Sequence, residues 1–579
     1  MGNSSTASLR ILPTEILNEI ISLIPRPTLL CLRLVNRQLG VLATVHAFRS
    51  VRLGAREGIA NDYECFCSLA HKEDAALPEL GLLRHLVREA TLDTWVGPHY
   101  EYNCNNYYRG PEWFMNLLPN LRHFHNLSAV HLRFNEFCVH LPMLTWGPEE
   151  TSDFRYRVLD TVFRCIAGTW NLTDQERVDR ELELFYEPYY GMCQVVRERT
   201  STGPLPIKSL TISNLGDYLD PRLTTSEAFK TVMSLPSLVD LKLYIATEVQ
   251  DGPSEDAEGA TWFFEKYDLF ERLPQTWLQP SLATNLRTLS LYCGASWGWS
   301  PKMDFRLVNP SEGGFPNLRV LALGNYIFSH EWQIDWIATQ GKDTVAGGLE
   351  ELYLDACYVM FYAHHLVPLD ESETIAGKDL SGNSIRVSNK GYQRNDLILE
   401  MNEGPGPMAQ TAYSLRWHTI LPRWRESMTA LKVFRMGRGS GWSDAAQVVV
   451  DIQQQDNPCF FADSKGEHRP FRNFEENAFR SFDCPRGSTA IEKGATGFPG
   501  MERYRHGVGL NEERRHQLKY AFSDMDAGPV LSFDIDESDH YGWSDEWPQL
   551  EEGVREKDKA ALELFVSMVQ SRREVRGDQ

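Results

Sequence analysis

The sequence predicts an α/β protein in which a short helical N-terminus precedes a long repetitive body built on a parallel sheet, followed by a C-terminal region that ends in a helix. Three observations predict this order. Apolar residues recur at helical spacing from Leu12 to Ile24, a six-residue apolar template recurs between residues 80 and 440, and the template stops near Gly441. We therefore divide the 579 residues into segments 8–54, 80–440 and 441–579.

The N-terminal segment begins with the run LPTEILNEIISLI, which is typical of an amphipathic helix. Its broad apolar stripe is formed by Ile16, Leu17, Ile20, Ile21 and Ile24. Pro25 ends this helix, a second apolar-periodic run extends from Thr28 to Phe48, and Arg49–Leu53 has the pattern of a short strand. A segment of about 45 residues with so small a core is marginally stable alone, so we expect it to require a partner.

The runs LPTEIL, LRLVNR and FRSVRL, in this order, resemble the F-box in the form found in fungal F-box proteins. The resemblance implies a three-helix F-box that binds a Skp-family adaptor and, through it, a cullin scaffold. By position it implies these adaptor-binding residues: Leu12, Pro13, Ile16, Leu17, Ile20, Leu30, Leu34, Val35 and Arg37. The family often has a Trp shortly after this region, where Leu39 stands here. The alternative is a helical hairpin that packs only on its own chain.

The body repeats the template L-x-x-L-x-L, as in NLRTLSL and NLRVLAL. The copies start at Val87, Leu127, Ile207, Leu238, Leu286, Leu318, Leu349 and Leu431. In a leucine-rich repeat the last two apolar positions share a short strand, point inward and stack on the next copy. We therefore predict an irregular leucine-rich-repeat-like solenoid with a parallel curved sheet. A generic α/β domain with accidental copies is the alternative.

Two further features of the body concern turns and aromatic residues. A turn-closing Asn or Cys follows the third apolar position at the repeat spacing only at Asn135 and Cys357.

A tryptophan-rich stretch runs from Trp297 to Trp336, where exposed side chains would suit a binding hot spot and buried ones would belong to the core. Residues 370–408 have loop composition. The sequence names no substrate-binding residue.

The C-terminal segment lacks the template and closes with a predicted amphipathic helix from Glu552 to Arg573, which we expect to cap the repeat array. The run DIDESDHYGWSD echoes a calcium loop, but Asp539 stands where the sharp turn needs Gly, so we interpret it as an acidic solvated loop. We predict no metal, no cofactor and no catalytic residue, because no metal-binding or nucleophile motif occurs in context.

Composition limits the partners and the compartment. Lys and Arg number 58 and Asp and Glu 79, so the net charge is −21, which makes nucleic acid a poor partner. The 11 cysteines lack the spacing of a disulfide framework, and no stretch is long and apolar enough to span a bilayer, so we expect a cytoplasmic or nuclear protein. Gly2 fits a myristoylation pattern, which would give reversible membrane contact.

The resemblance and the repeats together imply a non-catalytic adaptor. The F-box would hold an SCF-type (Skp–cullin–F-box) E3 ubiquitin ligase, and the repeat body would bind an unknown protein substrate for degradation. Two alternatives remain open at the level of sequence. One is a repeat scaffold that acts outside any ligase, and the other is an intracellular enzyme whose catalytic residues are too dispersed to recognise.

Overall fold

The structure is a computed structural model, and it describes a defined part of the chain. The described residues are 12–24, 26–55, 66, 69, 83–94, 112–134, 138–139, 150–182, 203–246, 264–365, 368–378, 381–394, 409–437, 460–462, 468–470, 518–524, 532–534 and 550–577. Gly2, Asn135 and the acidic run that follows Asp534 lie outside these residues. Within them the chain combines helices with a large, mostly parallel sheet, which confirms the α/β prediction.

Thirteen α-helices occur in the described residues. They are α1 (Thr14–Ser22), α2 (Arg26–Leu32), α3 (Arg37–Ala47), α4 (Glu112–Leu117), α5 (Ser152–Ala167), α6 (Leu172–Glu181), α7 (Pro221–Thr224), α8 (Glu227–Met233), α9 (Phe264–Arg272), α10 (Pro280–Ala283), α11 (Glu331–Thr339), α12 (Trp417–Ser427) and α13 (Val554–Gly577). Short 3₁₀ helices span Arg84–Leu86, Leu118–His123 and Phe305–Leu307. The helices predicted at the two ends of the chain are both present.

Nineteen strands accompany them in the same residues. They are β1 (Ser50–Gly54), β2 (Glu89–Asp93), β3 (Ala129–Arg133), β4 (Cys138–Val139), β5 (Glu150–Thr151), β6 (Ser209–Gly216), β7 (Asp240–Ala246), β8 (Thr288–Trp297), β9 (Val320–Phe328), β10 (Glu351–Asp355), β11 (Tyr358–His365), β12 (Glu373–Lys378), β13 (Ser384–Ser388), β14 (Ala409–Ala412), β15 (Val433–Gly437), β16 (Phe460–Ala462), β17 (His468–Pro470), β18 (Lys519–Asp524) and β19 (Ser532–Asp534). All eight template copies coincide with strands.

Nine strands form the parallel part of the sheet in chain order, β1-β2-β3-β6-β7-β8-β9-β10-β15. The four clearest template copies are in register, so that Leu241, Leu289, Leu321 and Leu352 lie side by side on successive strands. The prediction that these copies occupy adjacent parallel strands is confirmed. Stacking in this way buries leucine side chains that one short strand could not bury alone.

The sheet branches at β9. The end of β9 pairs with β11, and β11 pairs in turn with β14 and β18, so that residues near the C-terminus join the same 13-stranded sheet. The region from 370 to 408, which has loop composition, contains an antiparallel hairpin of β12 and β13. This element escaped the sequence pattern because most of its side chains are solvated and give no apolar alternation.

The tryptophan-rich stretch lies in the core. Trp297 packs on Tyr326 at a ring-centroid distance of 4.8 Å and donates its indole N–H to the Gly324 carbonyl at 2.7 Å. Trp336 stacks on Phe305 at 4.5 Å. Trp297, Trp299 and Trp336 are all buried, so these three build the core and do not serve as exposed anchors for a ligand. The large area that Trp buries explains this outcome.

Polar side chains in or just after several strands bond to the backbone of the preceding strand. Asn214 within β6 and Asn325 within β9 adopt left-handed backbone conformations, with φ of 59° and 57°. Each donates its side-chain amide to a carbonyl in or next to the preceding strand, Phe134 at 2.8 Å and Cys293 at 2.7 Å. The Cys357 thiol, between β10 and β11, faces the Leu323 carbonyl at 3.4 Å. Cys357 therefore bonds to the backbone as predicted, and two asparagines that stand one residue earlier than the template position make similar contacts from inside their strands.

Helix α13 covers the last strand of the parallel series. Phe565 meets Phe434 of β15 edge to face at 4.9 Å, and Arg572 donates to the Met428 carbonyl at 2.7 Å. Asp558, which is buried, accepts hydrogen bonds from the His418 backbone N–H at 2.8 Å and the Tyr520 hydroxyl at 2.6 Å. These contacts are those of a cap on the sheet. Among the described residues, no helix combines the length and apolar composition that a bilayer crossing requires.

Candidate functional site

The three N-terminal helices form a small unit with its own core. Asn36 caps α3 by accepting a hydrogen bond from the Leu39 N–H at 2.9 Å, which separates α3 from α2. The core of the unit consists of Leu17, Ile21, Leu29, Leu39, Ala43 and Ala47. Phe48 packs against both this cluster and the large core of the sheet, so it links the unit to the body.

Close packing and a polar contact hold the helices together. A Cβ at Gly40 would lie 2.9 Å from the Arg33 carbonyl oxygen, so the approach of α3 to the end of α2 requires glycine. His46 on α3 and Asn18 on α1 are joined through Nε2 and Oδ1 at 2.9 Å. Burial, and then the charge of Arg49, lowers the pKa of His46, which favours the neutral ring in this contact.

An apolar surface covers this unit. In the part of the chain that the structure describes, twelve large apolar side chains are exposed, and eight of them belong to the three helices and the turns between them. Their exposed fractions run from 40% to 88%, and they are Ile16, Ile20, Leu23, Leu30, Leu34, Val35, Val41 and Val45. Water-exposed apolar side chains concentrated in one small unit are typical of a docking surface.

Most residues implied by the family resemblance lie on this surface. Ile16, Ile20, Leu30, Leu34 and Val35 are among the eight exposed apolar residues. Pro13 and Arg37 are also exposed, and Leu12 is half-buried. Seven of the nine implied residues are thus accessible to a partner without a change in the helices.

Leu17 is the exception, because its side chain is buried within the three helices, and its role as a contact residue stays a prediction. Its side chain is 3% exposed and lies in the core of the three helices with Ile21. The apolar stripe of α1 is broader than one contact, and the structure splits it. Leu17 and Ile21 face α3, whereas Ile16 and Ile20 face solvent. Leu17 therefore lies beneath the exposed apolar surface and packs in the core of the three helices.

Three exposed residues were missed by the motif. Leu23 follows the last turn of α1, and Val41 and Val45 are four residues apart on α3. The i, i+4 spacing of the two valines was a usable sign of a shared helical face. Acidic and basic side chains border the surface, since Glu15, Glu19 and Arg37 are exposed. An apolar centre with a charged rim is the composition of a protein interface.

Other polar clusters in the body have structural roles. His418 contacts Asp558 through Nδ1 at 2.8 Å, but among the described residues its Nε2 makes no hydrogen bond to a Ser, Thr or Cys. The pair therefore resembles only part of a catalytic triad and serves to fix α13. No group of three metal-ligating side chains occurs in the described ranges.

The cavity beside α5 and α7 is too small for a substrate. Arg155, Tyr156, Asp220 and Trp277 contribute to its lining, and its volume is about 20 Å³, close to the space for a single water. Nearby, Arg222 pairs with Asp153 and lies 4.4 Å above the Tyr156 ring. These contacts tie α7 to α5 and leave the apolar surface of the three helices as the candidate functional site.

Comparison with known proteins returns neither a matching family model nor a curated protein with significant sequence similarity.

Proposed function

We propose that the chain is the substrate-recognition adaptor of an SCF-type ubiquitin ligase and that residues 12–47 bind a Skp-family adaptor. The observation that carries the proposal is the concentration of eight of twelve exposed large apolar side chains in this small unit. Single exposed apolar side chains are common on protein surfaces, but eight of them in one small unit, among them Leu34 at 88%, are typical of a surface that a partner covers. The runs LPTEIL and LRLVNR resemble the F-box, and this resemblance implies that the partner is a Skp-family adaptor.

The proposal extends to the body as a leucine-rich-repeat array with a curved sheet. Two features support it: the strands follow one another in chain order, and Asn214, Asn325 and Cys357 reach carbonyls beside the preceding strand. An array of this kind offers a long surface at which a protein substrate binds while the N-terminal helices hold the ligase. A cytoplasmic or nuclear location belongs to the same proposal.

The test replaces exposed apolar residues in the full-length chain. We expect Ile16→Asp combined with Leu34→Asp to weaken binding to a purified Skp-family adaptor by at least about 100-fold, because a charge would be buried at the centre of the interface. Biolayer interferometry with immobilised adaptor gives the dissociation constants. Circular dichroism at 222 nm checks that the helices persist.

The matched control is Val345→Asp combined with Leu564→Asp, which places the same two charges at exposed apolar sites outside the unit. This control should bind the adaptor within about twofold of the unchanged protein, since substitutions away from an interface have small effects. Equal losses in both double variants, or no binding by the unchanged chain, would refute the adaptor assignment.

A further inference from the structure

One residue precedes each of the nine parallel strands, and these residues form a continuous row across the sheet. Each N–H donates to the carbonyl of the previous row member at 2.6 to 2.9 Å, which fixes the alignment. We name this the entry row; its members are Arg49, Arg88, Ser128, Lys208, Val239, Arg287, Arg319, Glu350 and Lys432. Six of the nine are basic, in a chain whose net charge is −21.

The row is only partly neutralised by neighbouring acids. At one end Arg49 pairs with Glu89 at 3.0 Å, and at the other end Glu350 lies between Arg319 and Lys432. The six cations of the row against these two carboxylates give 6 − 2 = +4. At the next position along the strands, Asp240 pairs with Lys242, whereas Glu351 accepts from a neutral tyrosine hydroxyl and keeps its charge, which offsets one more cation at the Glu350 end of the row.

The basic side chains that lack an ion-pair partner among the described residues lie in the middle of the row. Arg88, Lys208 and Arg287 are exposed. Arg88 donates to the neutral Asn126 carbonyl at 3.0 Å, which leaves its charge without a counterion there. Lys208 and Arg287 have no ion pair and no side-chain hydrogen bond among the described residues. These three cations alternate with Ser128 and Val239, so they lie about 10 Å apart along the row, and an extended anionic ligand could pair with all of them at once.

We propose that the middle of the entry row binds an extended, carboxylate-rich polypeptide segment. Neighbouring strands are about 4.8 Å apart, so the four intervals from Arg88 to Arg287 span about 19 Å. An extended chain rises about 3.3 Å per residue, and about six residues cover that length. A duplex nucleic acid fits less well, because the net charge of −21 repels a long polyanion while a short acidic peptide experiences mainly the local row.

The role of the bound segment as part of a ligase substrate rests on the proposed function, but its binding does not. The entry row lies on the sheet, whereas the proposed adaptor surface lies on α1 to α3. Binding of an acidic peptide is therefore measurable with the purified full-length chain and no adaptor. The Ile16→Asp, Leu34→Asp variant should bind the peptide normally, so failure of one proposal is distinguishable from failure of the other.

The experiment uses a fluorescein-labelled peptide of twelve glutamates and follows its anisotropy. We expect binding that weakens as salt is raised, and a loss of at least about tenfold in the triple variant Arg88→Glu, Lys208→Glu, Arg287→Glu. The matched control reverses three exposed basic residues that lie off the row and form no ion pair within the described ranges, namely Arg272, Lys390 and Lys557. It changes the net charge equally and should lose less than about threefold.

Three outcomes would overturn the proposal. The first is an equal loss in the two triple variants, which would mean that only net charge matters. The second is a glutamate peptide that binds no tighter than a peptide of twelve glutamines. The third is tighter binding of a twelve-nucleotide oligodeoxythymidine than of the glutamate peptide, which would assign the row to nucleic acid. Tryptophan emission spectra confirm that both triple variants are folded.

Discussion

The N-terminal helices and the sheet body use apolar residues in opposite ways. The helices bury six residues in their own core and expose eight large apolar side chains. The body places the inward-facing leucines of its template strands, such as Leu289 and Leu321, at 0% exposure, and it encloses tryptophans as well. The difference teaches that the body completes its own core, whereas the helices bury only a small core and leave most of their large apolar side chains in water.

The contrast has a geometric cause. In the body each strand has neighbours on both sides, so the apolar face of one repeat is completed by the next. The three helices lie at the end of the series beside β1, which pairs only with β2 within the described sheet. Their outer face therefore has no next repeat to cover it within the described sheet, and its apolar side chains stay exposed.

The strongest test of this contrast truncates one leucine in each region. We expect Leu321→Ala in the centre of the sheet to lower the free energy of unfolding by about 2–5 kcal/mol, because it leaves a cavity among in-register leucines. Leu34→Ala should change it by less than about 0.5 kcal/mol, because its side chain is already solvated. Hydrogen–deuterium exchange with mass spectrometry measures the change in stability of the sheet and of the helices separately. Similar effects of both substitutions would contradict the contrast.

We expect the stability of the sheet body to fall at low pH. Burial lowers the pKa of His330 from 6.5 to about 4, and its ring stacks on Tyr392 at 4.2 Å. Between these two pKa values the unfolded chain binds more protons than the folded one, so stability present above pH 6.5 is lost as the pH falls toward 4. The loss from this residue is at most about 3 kcal/mol.

Tryptophan fluorescence measures this acid effect in the body alone, because the first tryptophan of the chain is Trp95. Urea unfolding at pH 7 and pH 4.5 should show a smaller difference for His330→Asn than for the unchanged protein. An identical pH dependence of the two proteins would exclude His330 as a source of the acid sensitivity.

The most local effect is expected at the capped end of the sheet. Asp558→Asn should cost about 1–3 kcal/mol, because the buried carboxylate accepts from His418 and from the Tyr520 hydroxyl. Faster hydrogen exchange confined to α13 and β15 is the expected result. Glu556→Gln, at an exposed position of the same helix, is the control and should leave exchange unchanged. Faster exchange throughout the sheet would show that the cap is not a separate local unit.

Much of the secondary structure was predictable because it depends on short periods. The spacing of Ile16 to Ile24 predicts α1, and L-x-x-L-x-L predicts each strand of the parallel series from β2 to β15. Such patterns follow from which side chains must leave water within one turn or one strand. The hairpin of β12 and β13 was not predictable in this way, since it has little buried apolar surface.

The sequence by itself determined the periodicity, the net charge and the position of the F-box-like motif. Only the tertiary structure decided that Leu17 is buried while Ile16 is exposed, that Trp297 and Trp336 fill the core, and that basic residues form one row. Arg88 and Lys208 are 120 positions apart in the chain, and only strand pairing across the intervening segments brings them to the same edge. Local patterns record which side chains avoid water, whereas neighbours across a sheet are set by the packing of distant segments.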